Sequence, residues 1–149
     1  MAQQRLINQD GRMQTHLLIV DYSDLVRNSL RALLGNVEGI ASIHEAATLG
    51  EALDSARCHP PTLVILDLHL PDGLGTHIIH QLKQFAPLLR IAMLTIHAEP
   101  LYRRHCLALG VDWFFDKATE VEGLLEVVRQ HTATNLLIHS NQKLPPCVT

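Results

Sequence analysis

Five short apolar runs, separated by five stretches of helical spacing, constrain this chain more than any other feature of it. HLLIV (16–20), IASIHEA (40–46), LVIL (63–66), IAML (91–94) and VDWFF (111–115) are rich in branched or large apolar residues and bounded by turn or cap residues, which predicts strands. Between and after them, DLVRNSLRALLG, TLGEALDSARC, GTHIIHQLKQF, EPLYRRHCLALG and EVEGLLEVVRQH carry apolar residues three and four apart, which predicts helices. Such alternation predicts an α/β fold: a parallel sheet covered by helices on both faces, joined by right-handed crossovers.

Composition narrows the class. With 149 residues, 47% apolar and 18% charged, the chain suits one globular domain. A formal net charge of −3 gives no strong attraction to nucleic acid or to an anionic membrane surface, so no direct nucleic-acid partner is expected. Cys58, Cys106 and Cys147 are an odd count at wide spacing, which predicts reduced thiols in the cytoplasm. No apolar run approaches a membrane span, and the start MAQQRLINQDGRMQ lacks an apolar signal core. Residues 1–14 and 132–149 read as an N-terminal flank and a C-terminal tail around a domain at 15–131, the tail ending QKLPPCVT with two prolines that discourage regular structure.

The run LVILDLHLPDGLG ends a buried strand with one carboxylate, Asp67, before a Pro/Gly loop. Most acids at strand ends cap or turn the chain. Here, however, Asp21, Asp67, Thr95 and Lys117 all fall at or just after the ends of the first, third, fourth and fifth strands. In open sheets of this kind chemistry collects at the carboxyl ends, and in a flavodoxin-like, doubly wound five-stranded sheet of order 2-1-3-4-5 the ends of the first, third and fourth strands adjoin.

In order and spacing, LLIVD with Asp21, VILDLHLPDGLG with Asp67, IAMLTIHAE with Thr95 and GVDWFFDKA with Lys117 resemble the receiver domain of two-component response regulators; EAATLGEAL resembles its second strand and helix. The resemblance implies a bacterial phosphorelay protein, not an enzyme beyond self-catalysed phosphotransfer and dephosphorylation. It implies that Asp67 accepts the phosphoryl group from a histidine kinase or phosphotransfer protein, that Thr95 bonds the phosphoryl group in the active state, and that Lys117 pairs with its oxygens. Phe114 matches the switch aromatic. The signal would pass to a protein partner through the fourth and fifth helices and fifth strand, in a monomer or weak homodimer. His69 and His97 would flank the path of the water that hydrolyses the acyl phosphate.

The pattern breaks at Tyr22, where receivers carry a second acid that ligates Mg²⁺ directly. A neutral phenol is a poor Mg²⁺ ligand. Asp21, Asp67 and the His69 main-chain carbonyl are the remaining ligand set, for a site weakened by Tyr22. Asp24 is either a substitute ligand or, with Ser23, part of the first helix's N-terminus. A pseudo-receiver that signals without phosphorylation is the alternative reading. His77 and His80, three apart, lack a further ligand, Trp113 reads as an edge-strand core residue, and Arg103 and Arg104 read as a solvated helix face. A haloacid-dehalogenase-type phosphatase needs a second acid where His69 stands, and a dinucleotide site needs glycines that DYSDLVR lacks.

Overall fold

A computed structural model describes residues 13–141. The strands are β1 (Thr15–Val20), β2 (Ile40–Ala46), β3 (Leu63–Leu66), β4 (Arg90–Thr95) and β5 (Trp113–Asp116). They pair in parallel in the order β2-β1-β3-β4-β5, the predicted one. The helices are α1 (Asp24–Leu34), α2 (Leu49–Cys58), α3 (Ile79–Phe85), α4 (Pro100–Ala108) and α5 (Val121–Asn141).

Alternate residues of β1, β3, β4 and β5 feed two separate cores. Leu18, Val20, Val64, Leu66, Ile91, Met93 and Phe114 pack with α2, α3 and α4. Leu17, Ile19, Leu63, Ile65, Ala92, Leu94 and Phe115 pack with α1 and α5 on the other face. Because all four residues of β3 are buried, its apolar run is unbroken rather than alternating. Each such side chain contributes about 1.5–3 kcal/mol on burial. This double coverage fixes the strand ends in place.

Three element boundaries depart from the sequence reading. α5 continues past 131 to Asn141, into the stretch read as tail. The reason is a contact far along the chain: Thr132 is buried and its hydroxyl bonds that of Thr15 at 3.0 Å, so the helix still has a partner there. Residues 1–12 and 142–149 of the expected flanks lie outside the described residues. β5 starts at Trp113 rather than 111, because Val111 N–H still bonds Cys106 O and the Asp112 carboxylate accepts Ile91 N–H at 2.8 Å. The third helix opens with a 3₁₀ turn, Gly75–Ile78, after a two-residue hairpin pairing His69–Leu70 with Gly73–Leu74.

Gly75 explains that opening turn. Its N–H donates to Leu68 O at 2.7 Å, and a Cβ there would lie 2.3 Å from Asp67 O and 3.0 Å from Leu66 Cγ. Only a residue without a side chain lets the loop fold this closely under Asp67. Gly75→Ala is expected to cost about 1–3 kcal/mol, the usual scale of overpacking, measured as a lower urea midpoint with unchanged slope.

Candidate functional site

Backbone hydrogen bonds carry the sheet one residue further at its carboxyl edge. Asp21 N–H donates to Ala46 O (3.0 Å), Asp67 N–H to Val20 O (2.9 Å) and Lys117 N–H to Thr95 O (2.9 Å). Three of the four expected site residues are therefore held by the ladder itself, and Thr95 is the last residue of β4. The structure brings them together. Lys117 Nζ donates to Asp21 Oδ2 at 2.6 Å and to Asp67 Oδ2 at 2.9 Å. The second oxygen of each acid is also engaged: Asp21 Oδ1 accepts Ser23 N–H at 2.9 Å, and Asp67 Oδ1 accepts Leu68 N–H at 2.7 Å.

Burial and charge compete in this triad. Burial pushes the Asp67 carboxyl above its ordinary 3.8, Lys117 works against that rise, and the Asp21 charge adds to it. For Lys117, burial acts to lower the ammonium's pKa, but the hydrogen bonds and charges of Asp21 and Asp67 hold it above the ordinary 10.5. A carboxylate kept partly desolvated is a better nucleophile than a hydrated one, provided a cation offsets its charge.

The buried Thr95 hydroxyl accepts His97 N–H at 3.1 Å and keeps its own proton to donate. His69 and His97, from the loops after β3 and β4, meet with ring centroids 4.2 Å apart, and Tyr102 stands edge-on to both at 6.4 and 6.2 Å. Two expected site neighbours thus form one aromatic rim. Phe114 is buried in the core against α2, α3 and α4.

Tyr22 points to solvent, 66% exposed, and takes no part in the pocket. Ser23 caps α1 by accepting Val26 N–H at 3.3 Å, while Asp24 pairs with Arg27 rather than with the pocket. The two Oδ2 atoms that converge on the Lys117 ammonium show that this spacing suits a cation. Two carboxylates are hard oxygens of the kind Mg²⁺ takes, with waters filling its other positions, so the acids present fit the ion. Among the described residues no group of three or more His, Cys, Asp or Glu gathers as a metal cluster, His77 and His80 included.

Three features were not read from the sequence. Asp72 accepts Leu49 N–H (2.8 Å) and Gly50 N–H (3.0 Å), tying the loop after Asp67 to the start of α2; these bonds hold its carboxyl below the ordinary 3.8. Arg27 donates to Asp21 O at 2.5 Å and to Glu45 Oε1 at 3.2 Å. Arg103 does more than face solvent: its side chain is 38% exposed, yet it bonds Phe114 O at 3.0 Å and Glu120 at 2.7 Å, whereas Trp113 packs at the sheet edge as expected. The signal available for Asp72 was its place after Pro71 in a turn preceding no helix of its own; for Arg103 there was none.

A parallel sheet of this order with two acids and a lysine joined at its carboxyl edge defines the class, a flavodoxin-like α/β domain with a charged site at the rim of its sheet. Residues 17–129 match the family model of the response regulator receiver domain, and the chain belongs to that family. It is 32% identical over 122 residues to the transcriptional activator protein ExaE of Pseudomonas putida, covering 82% of this chain and 57% of that protein. The chain spans just over half the length of the curated relatives it matches. A CheY-like receiver domain from Methanospirillum hungatei superposes with a TM-score of 0.71 at 26% identity, over 82% of this chain and 96% of that one. The fold is shared also with a response regulator from Burkholderia pseudomallei solved with a phosphorylated aspartic acid, calcium ion and citrate (TM-score 0.70, 24% identity, 91% and 77% covered).

Removing the ammonium isolates its effect. In Lys117→Gln the Asp67 carboxyl is expected to titrate higher still, read by carbon-13 NMR; an unmoved titration would show that burial alone sets it. The stabilisation from Lys117 is complete below 10.5 and disappears as pH rises through the elevated folded value. The variant should therefore lose less stability than wild type in that alkaline window.

Proposed function

We propose that this domain is a phosphoacceptor in a bacterial phosphorelay, with Asp67 as the acceptor. One observation carries the reading: Asp67, raised by burial, shares the Lys117 ammonium with Asp21 at the carboxyl edge of the sheet. The donor is a phosphohistidine of a sensor kinase or phosphotransfer protein. An Asp67 carboxylate oxygen forms the new bond to phosphorus as the P–N bond of the donor breaks, and the electron pair leaves with the imidazole. Lys117 offsets the charge brought onto Asp67, and the Thr95 hydroxyl donates to a phosphoryl oxygen.

Asp21, Asp67 and the His69 carbonyl would hold Mg²⁺, which supplies further charge neutralisation during transfer. The aspartyl phosphate is the stored signal, so the domain acts as a signalling partner rather than as an enzyme with its own substrate. Protein contacts through α4, β5 and α5 carry the output, in a monomer or weak homodimer, without direct nucleic-acid contact by these residues. No helix among the described residues is long and apolar enough to cross a membrane; the cytoplasm is the proposed location. The pseudo-receiver reading has only Tyr22 in its favour.

Incubation with a small phosphodonor and Mg²⁺ should add one phosphoryl mass to the intact chain, and Asp67→Asn should abolish it. Labelling that persists in Asp67→Asn would remove the assignment. Tyr22→Asp tests the metal separately. It places a third carboxylate at the edge of the pocket, so thermal stability should fall without Mg²⁺ and recover with millimolar Mg²⁺ by more than wild type gains. An equal gain in both proteins would mean that Tyr22 does not limit the metal.

A further inference from the structure

α4 is the least buried of the helices that cover the sheet. Cys106 is its one buried residue, while Leu101 and Leu107 stand exposed on it. A helix with so little apolar attachment needs another means of being held. Arg103 supplies three. Its guanidinium carbon lies 5.0 Å from the centroid of the Phe114 ring, its Nη1 donates to Phe114 O at 3.0 Å, and its Nη2 donates to Glu120 Oε1 at 2.7 Å. The ring beneath it is 4% exposed, so one face meets the cation and the rest meets the core.

Glu120 extends the clasp toward the pocket. The same Oε1 accepts Asp116 N–H at 3.0 Å, and Asp116 is both the β-ladder partner of Thr95 and the residue before Lys117. A chain of direct contacts therefore runs from α4 through Arg103 and Glu120 to the segment that carries Lys117. The planar fork makes this possible: one guanidinium serves a carbonyl, a carboxylate and an aromatic face together, which an ammonium cannot do.

We propose that Arg103 is a positioning residue, which clasps Phe114 and the start of α5 to α4 and so sets how readily the domain leaves the resting arrangement described here. The inference rests on the reading of Asp67 as phosphoacceptor. Lys117 already lies on Asp67, so the group left to move is Thr95: a Thr95 hydroxyl drawn toward a phosphoryl group on Asp67 would carry its ladder partner Asp116 with it and pull on the Glu120–Arg103 link, so that Arg103 must release Phe114 for α4 to follow. The clasp belongs to the resting state. Its removal must then favour the state that binds the phosphoryl group, by linkage.

Beryllium fluoride with Mg²⁺, a phosphoryl mimic, reads this out on the full chain, by titration of the Thr95 and Lys117 amide signals. Wild type is expected to bind, and Arg103→Ala to bind about five- to tenfold more tightly. Arg103→Lys, which keeps the charge and loses the fork, should return part of the difference. Glu120→Gln retains an acceptor for Asp116 N–H and should tighten binding less than Arg103→Ala; it carries the test if Arg103→Ala does not fold. In a Phe114→Leu background, Arg103→Ala should have a smaller effect, since the ring is one of the groups clasped. Folded Arg103→Ala or Glu120→Gln with unchanged or weaker binding overturns the inference, because loss of a merely structural contact gives no tighter binding at Asp67. Failure of wild type itself to bind overturns the phosphoacceptor reading instead.

Discussion

The ammonium of Lys117 between the carboxylates of Asp21 and Asp67 is the interaction on which the rest of the pocket depends. Two acids this close in a desolvated place repel, and without a cation one of them would take up a proton. The side chain that prevents this comes from 50 residues beyond one acid and 96 beyond the other. Only the sheet can bring such distant residues to one point. The parallel ladder, the two cores that clamp it and the glycine that lets the loop fold under Asp67 all contribute to holding these three side chains in place.

The two faces of the sheet are not held alike. α1 and α5 bury Leu30, Leu34, Leu124, Leu125 and Val128 against one side. On the other, α2 and α3 are well anchored, whereas α4 depends on Cys106 and on polar contacts. Polar clasps break and re-form at lower cost than a packed apolar face, since water replaces their hydrogen bonds. Apolar packing is thereby concentrated on the α1 and α5 face, and the contacts beside Phe114 are in larger part polar.

The strands and the four rim residues were legible in the sequence for a physical reason, whereas the strand order came with the flavodoxin-like pattern. Strands buried on both faces read as unbroken apolar runs, and polar residues directly after them can only lie at the rim. Asp67 after LVIL and Lys117 after WFFD follow this rule. What stayed hidden depends on partners far apart in the chain. Arg103 looks like any exposed helical arginine until Phe114 and Glu120 are seen to meet it. The extension of α5 was hidden too, because the Thr132 hydroxyl finds its partner in Thr15, at the other end of the domain. The 3₁₀ opening before α3 was masked by helix-compatible residues, and only the approach of Gly75 to Asp67 O explains it.

Asp72 takes no part in the acid–lysine triad, yet its carboxylate joins the loop after Asp67 to the first turn of α2. That loop carries His69, one of the three rings of the aromatic rim. Loops of this kind usually fluctuate independently of the helices around them. Here the rim is moored to an element that supplies nothing to the chemistry, so the pocket wall borrows stiffness from outside itself. A group entering the pocket then meets a wall already held in place, and less ordering of that loop is left for binding to supply.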